Sequence, residues 1–256
     1  MLNRIISIAI NTFREAVRDR VLYNLVLFVL IIIACAILLG DLTDGHEART
    51  IVNIGLNAML MFGAFIAIFV GVALVSKEIE KRTVFAIFAK PIGRGEFIVG
   101  KYLGLCLTLA VNVSVMGLGV SLALIYVGNT GLAGTIWPSI LLIFFELTIL
   151  TAVATLFSSF SSPALSALLT FFVFVIGHFS TSLRDLAALS SQSARYFFEA
   201  IYFVLPNLSH FTFVTNASHG DMPPASMLGG AILYAIVFDA ILIAAAMIIF
   251  SRRNFK

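Results

Sequence analysis

The sequence predicts an all-α polytopic membrane protein: six transmembrane helices, an amphipathic interfacial helix before them and a re-entrant helical hairpin between spans five and six. Three observations carry this. Of 256 residues, 61% are hydrophobic and 11% charged, where soluble domains carry roughly 25% charged residues. Mean hydropathy is +1.07, and apolar runs of about 20 residues, enough to cross a bilayer core, recur six times. Basic residues gather on alternate connections, as they do where a chain crosses a membrane repeatedly.

Residues 1–20 form the interfacial helix. Leu2, Ile5, Ile6, Ala9, Phe13, Ala16 and Val17 recur at three- and four-residue spacing, and Asn3, Arg4, Ser7, Asn11, Arg14 and Arg18 fill the rest of the circumference. Such a helix lies among the headgroups with its cations facing anionic lipid. A charged stretch followed by Ala34-Cys35-Ala36 imitates a cleaved leader. The apolar run continues to Leu39, however, so a span is expected there instead.

The spans are expected at 21–40, 51–75, 102–127, 136–157, 164–183 and 227–250. Gly63, Ala67 and Gly71 give the second a small-residue stripe suited to close packing. Trp137 and Pro138 open the fourth at an interface. Residues 184–226 are too long for a turn. Within them Tyr196 to Leu205 is apolar but too short to cross, and Pro206-Asn207 breaks it. Two short helices that enter the outer leaflet and return are the expected result.

Residues 76–101 form the one long, densely charged connection, with six basic residues and the acids Glu78, Glu80 and Glu96. With the N-terminus inside, thirteen of the sixteen Lys and Arg residues fall on the inner side, which predicts both termini in the cytoplasm. Inside this connection Val84, Ile87 and Phe88 share one helical face, and Pro91 ends the helix near Lys90. A short helix outside the membrane fits a groove on another protein, and it equally fits a basic loop that only sets topology.

Several chemistries are excluded or weighed. Gly95 to Lys101 has phosphate-loop spacing, but Tyr102 stands where magnesium needs a hydroxyl residue and bulky Phe97, Ile98 and Val99 obstruct the backbone cradle. If ATP drives this protein, another subunit binds it. Glu146 and Asp239 sit near the midpoints of spans four and six, where a charge costs about 2.5–3.5 kcal/mol. They read either as a transport path or proton relay, or as interhelical hydrogen bonds, for example to Asn112 or Thr148. His178 reads as a packed histidine before a ligand. His210, His219 and Met222 are too scattered to predict a metal site. Cys35 and Cys106 lie in apolar runs and predict no disulfide. A net charge of +3 suggests no nucleic-acid partner, and no nucleophile elbow or catalytic carboxylate pair marks the chain as an enzyme.

The segment Ser76-Lys77-Glu78-Ile79-Glu80-Lys81-Arg82-Thr83, followed by Lys90-Pro91-Ile92, Arg94, Phe97 and Gly100-Lys101, resembles the cytoplasmic signature of type-2 ABC exporter permeases. It is closest to the branch associated with multi-copper enzyme maturation. Leu205-Pro206-Asn207-Leu208 and Phe211 are similar to a second feature of that branch. Arg82 departs from the glycine common among wider relatives.

The resemblance implies one permease domain over 1–256, in the cytoplasmic membrane, paired with a second permease and two ATPase subunits that hold the ATP and magnesium. It implies an ATPase-coupling set of Glu78, Glu80, Lys81, Arg82, Thr83, Phe85, Phe88, Lys90, Pro91 and Arg94. It further implies a substrate route at the permease dimer interface, lined by spans one, two and five, with the 184–226 hairpin, which holds Pro206 and Asn207, closing its outer end. A gradient-driven carrier using Glu146 and Asp239, and a membrane scaffold or assembly factor, are the competing expectations.

Overall fold

The computed structural model describes residues 2–18, 20–40, 46–80, 93–180, 185 and 192–252. Its helices are α1 (Leu2–Val17), α2 (Arg20–Gly40), α3 (Glu47–Glu80), α4 (Arg94–Tyr126), α5 (Thr130–Thr135), α6 (Trp137–Ser158), α7 (Pro163–His178), α8 (Gln192–Val204), α9 (Val214–Ser218) and α10 (Ala225–Arg252), with a 3₁₀ turn over Leu208–Phe211. No strand occurs among the described residues. The fold is all-α, and it is a polytopic membrane protein. Among the described residues four stretches are long and apolar enough to cross a bilayer, namely Glu47–Ala73, Arg94–Tyr126, Thr130–Ser158 and Ala225–Arg252. Two further apolar helices, Val29–Leu38 and Pro163–His178, are shorter.

Helix α6 is the axis of the bundle. Of its apolar window 72% is buried against protein, whereas α10 buries only 22%. Between helices immersed in lipid the hydrophobic effect supplies little, so contact depends on backbones approaching closely. The stripe on α3 does this. A Cβ on Gly63 would fall 2.5 Å from Leu147 Cδ1, and one on Gly71 would fall 3.2 Å from Ala154 Cβ. A second cluster, Phe97, Ile98, Ala152, Ile243, Ala246 and Phe250, joins α4, α6 and α10 where α4 begins and α10 ends.

Local chemistry explains the helix ends. Glu96 Oε2 accepts from the Gly93 N–H at 3.1 Å and so caps α4. Past Tyr126 the chain turns through Gly128 at φ 83°, and the Asn129 side chain accepts from Leu132 N at 3.2 Å to start α5. Pro138 and Pro163 stand in the first turns of α6 and α7, where a missing N–H costs nothing.

Some boundaries differ from the hydropathy reading. Within the charged connection 76–101, α3 runs on to Glu80 and α4 already begins at Arg94. Hydropathy marks the edge of the hydrocarbon, and a helix can continue into water beyond it. Between the expected spans 102–127 and 136–157 lies α5. Helix α7 stops at His178, short of the expected 183. In the outer hairpin the expected second short helix is replaced by the 3₁₀ turn and α9.

Helix α1 has three faces, not two. Ala16 and Thr12 are buried against α4, with Ile8 and the Ala9 carbonyl over Gly100 and Gly104. Leu2, Ile6 and Ile10 form a separate apolar face, 71%, 47% and 42% exposed. Arg14, Glu15 and Arg18 lie on an exposed polar face. The single apolar face expected from sequence thus combined a protein-facing row with a lipid-facing one, since both are apolar.

Candidate functional site: polar groups within and at both ends of the bundle

Of the expected ATPase-coupling residues, Lys81, Arg82, Thr83, Phe85, Phe88, Lys90 and Pro91 lie outside the described residues. Glu78 and Glu80 fall in the last turn of α3. Arg94 opens α4, and its Nη1 donates to Ser251 O at 2.8 Å, tying the start of α4 to the end of α10.

Immediately beyond, α1 is clasped to the first turns of α4. Lys101 is 2% exposed, its Nζ 3.3 Å from Glu15 Oε2 and 5.8 Å from the centroid of the Phe97 ring. Arg4 Nη1 stands 4.0 Å from the capping carboxylate of Glu96. A lysine can be buried this way only because its charge is paired and its stem packs on an aromatic face. The half-exposed Arg4–Glu96 pair contributes little by itself. Orientation is what these pairs supply, as they fix the register of α1 on α4.

Inside the bundle the two acids have separate surroundings. Glu146 is 1% exposed, and its Oε1 is 3.2 Å from His178 Nε2 on α7, close in distance but poorly aligned as a hydrogen bond. The other ring nitrogen of His178, Nδ1, lies 3.1 Å from Phe174 O. A carbonyl can only accept, so Nδ1 carries the hydrogen and Nε2 turns toward the acid. Asp239 on α10 is faced by Tyr102 and Thr148, and Tyr102 in turn by Cys106. Of the expected partners, Thr148 does lie beside Asp239, whereas Asn112 donates to Thr108 O at 2.9 Å within its own helix. The sequence offered no register between spans, which is why His178 went unmatched.

At the opposite end of the bundle, Pro206 and Asn207 are buried. Asn207 Oδ1 accepts from the Ser180 hydroxyl and from the Ser209 N–H and hydroxyl, and the Asn207 N–H donates to Tyr234 Oη at 2.8 Å. Its Nδ2 lies 3.2 Å from His210 Nε2 and 3.5 Å from Tyr202 Oη. Asn207 thus holds Ser180, just past α7, against the 3₁₀ turn through its side chain, and holds α10 through its backbone N–H. His219 engages Thr215 O instead, at 2.8 Å. Among the described residues no three His, Cys, Asp or Glu side chains cluster as metal ligands would.

Two residues that sequence reasoning passed over are Asn53 and Asn57, both exposed on α3. Asn57 Nδ2 donates to Asn53 O and lies 2.8 Å from Asn53 Oδ1. With Thr50, Met61, Phe62 and Ile32 they line a depression of about 480 Å³ between α2 and α3. Their signal was available: two amides one turn apart in an otherwise apolar span. Exposed amides are costly in hydrocarbon, so this face meets water or protein.

No curated protein matches the chain in a sequence comparison. The family model described as "ABC-2 family transporter protein" matches residues 6–255, from the first turns of α1 to beyond α10. The chain belongs to that family and is a membrane permease component of an ABC transporter.

Proposed function

We propose that this chain is the transmembrane permease subunit of an ATP-driven exporter. A separate ATPase subunit, present twice, supplies the ATP and magnesium chemistry and works the permease through residues 81–92. The carrying observation is the convergence of two long helices, of 34 and 33 residues, on that segment. Where the segment ends, α4 is fastened to α1 and α10, so displacement there is delivered to three elements together. Only a load that binds the two permease states differently converts this movement into transport.

The permease pairs with a second copy or a homologue in the cytoplasmic membrane, with both termini in the cytoplasm. The Asn53–Asn57 face and the neighbouring α7 belong to the substrate route between the two permeases, and the knot at Asn207 braces the outer hairpin. Neutral amides beside Met61 and Phe62 suit an amphipathic cargo. Phe85→Asp with Phe88→Asp is expected to leave membrane insertion intact and to abolish co-purification of an ATPase. An ATPase that still co-purifies would refute the coupling role.

The buried acids favour one second reading, a gradient-driven carrier that needs Glu146 or Asp239. Glu146→Gln and Asp239→Asn separate the two. The permease reading expects both variants to keep ATP-dependent transport within about tenfold of wild type, the loss from a single polar contact worth about 1.4 kcal/mol. The carrier reading expects transport driven by an ion gradient without nucleotide, lost in either variant.

A further inference from the structure

Away from the Asn53 face, α4, α6 and α10 line a groove of about 480 Å³ that includes Ala110, Ser114, Trp137, Leu141, Phe144 and Leu228. Its volume is that of a small-molecule site, but its chemistry is unlike one. No charged residue lines it. The Ser114 hydroxyl is engaged within its own helix, donating to Ala110 O at 2.6 Å. That leaves the indole N–H of Trp137, in the first turn of α6, as the other side-chain polar group. Ordered water needs two to four polar partners, so water does not fill this space.

The groove runs with the helices. From Trp137 to Phe144 it descends about 10 Å along α6, from the end where α6 and α10 begin toward the middle of α4. Trp137 and Leu141 remain 38% and 39% exposed along it, so it opens sideways into the membrane over its length. An uncharged slot that starts at an aromatic interfacial residue and points into the hydrocarbon has the polarity of a lipid chain. We propose that it is a lipid site, holding one acyl chain of a phospholipid whose headgroup rests at the Trp137 end. A second copy of this protein is the less suitable occupant, because it would have to insert a ridge of side chains between α4 and α6. The inference does not depend on ATP coupling or on the cargo.

The test uses the full-length protein in nanodiscs of phosphatidylethanolamine and phosphatidylglycerol. A minor fraction of the phosphatidylethanolamine carries a photoreactive diazirine on its acyl chain. After irradiation, peptides covering 110–114 and 137–144 should carry several-fold more label than the exposed Leu165–Phe172 face of α7. Filling the slot with Ser114→Phe, or more gently with Ala110→Leu, should lower their labelling to the level of that face. Gel filtration and thermal unfolding would establish that each variant is folded. Should Ser114→Phe misfold, Ala110→Leu carries the test. Even labelling over all membrane-facing helices overturns the proposal, as does undiminished labelling in a folded, filled variant. Absent lipid label combined with disulfide pairing between copies through Ser114→Cys would assign the groove to a protein interface and would also overturn it.

Discussion

Gly104→Ala is expected to destabilise the protein by about 1–3 kcal/mol, the usual cost of overpacking a well-filled contact. In an unconstrained helix the same change stabilises by up to about 1 kcal/mol, so the sign itself is diagnostic. A Cβ at Gly104 would lie 2.6 Å from the Ala9 carbonyl oxygen and 2.6 Å from Thr12 Cβ. The first of these is backbone and cannot rotate away, so α1 must lift. Gly134 in α5 has nothing within 4 Å of its Cβ position and serves as control. Thermal unfolding in detergent should show Gly104→Ala shifted down and Gly134→Ala unchanged or slightly up. Limited trypsin digestion at Arg14 and Arg18 should accelerate in Gly104→Ala alone. Equal behaviour of the two variants would mean that α1 is not seated on α4 as described.

Asn207→Ala should cost about 2–4 kcal/mol, since each buried polar partner left unsatisfied is worth about 1–3 kcal/mol. The substitution strands the Ser180 and Ser209 hydroxyls and the Ser209 N–H together. Asn207→Asp keeps the accepting oxygen for all three donors at the cost of burying a carboxylate, so its penalty should remain the smaller. Hydrogen exchange over 205–211 would read the same difference locally, with protection lost in the alanine variant and largely kept in the aspartate variant. Undiminished protection in the alanine variant would show that the shared oxygen does not hold the knot.

Much of this architecture was legible in the residues, and where it was not the cause is physical. Apolar runs reveal spans because a bilayer core accepts little else. The small-residue stripe on α3 announced a close contact, and its partner proved to be Leu147 and Ala154 on α6. Helix ends were less legible, because α3 and α4 continue past the hydrocarbon where hydropathy falls but backbone bonding does not. The apolar residues of α1 could not be divided between protein and lipid by periodicity alone. Glu146 was visible as an acid in an apolar helix, yet its neighbour His178 depends on how α6 and α7 slide past one another. Asn53 and Asn57 drew no notice because each amide is ordinary singly, and only their joint exposure on α3 sets them apart. The Asn207 knot draws on residues from 180 to 234, a set that no local pattern joins.

The meeting of Glu146 and His178 bears on how the protein is made. Emerging alone into the bilayer, the central helix would present its acid to lipid at about 2.5–3.5 kcal/mol, with the histidine still to be synthesised. The connector of four residues between α6 and α7 keeps the two segments paired from the start. They should therefore enter the membrane as one hairpin, each half making the other admissible, and a stalled chain ending before α7 should leave α6 poorly integrated.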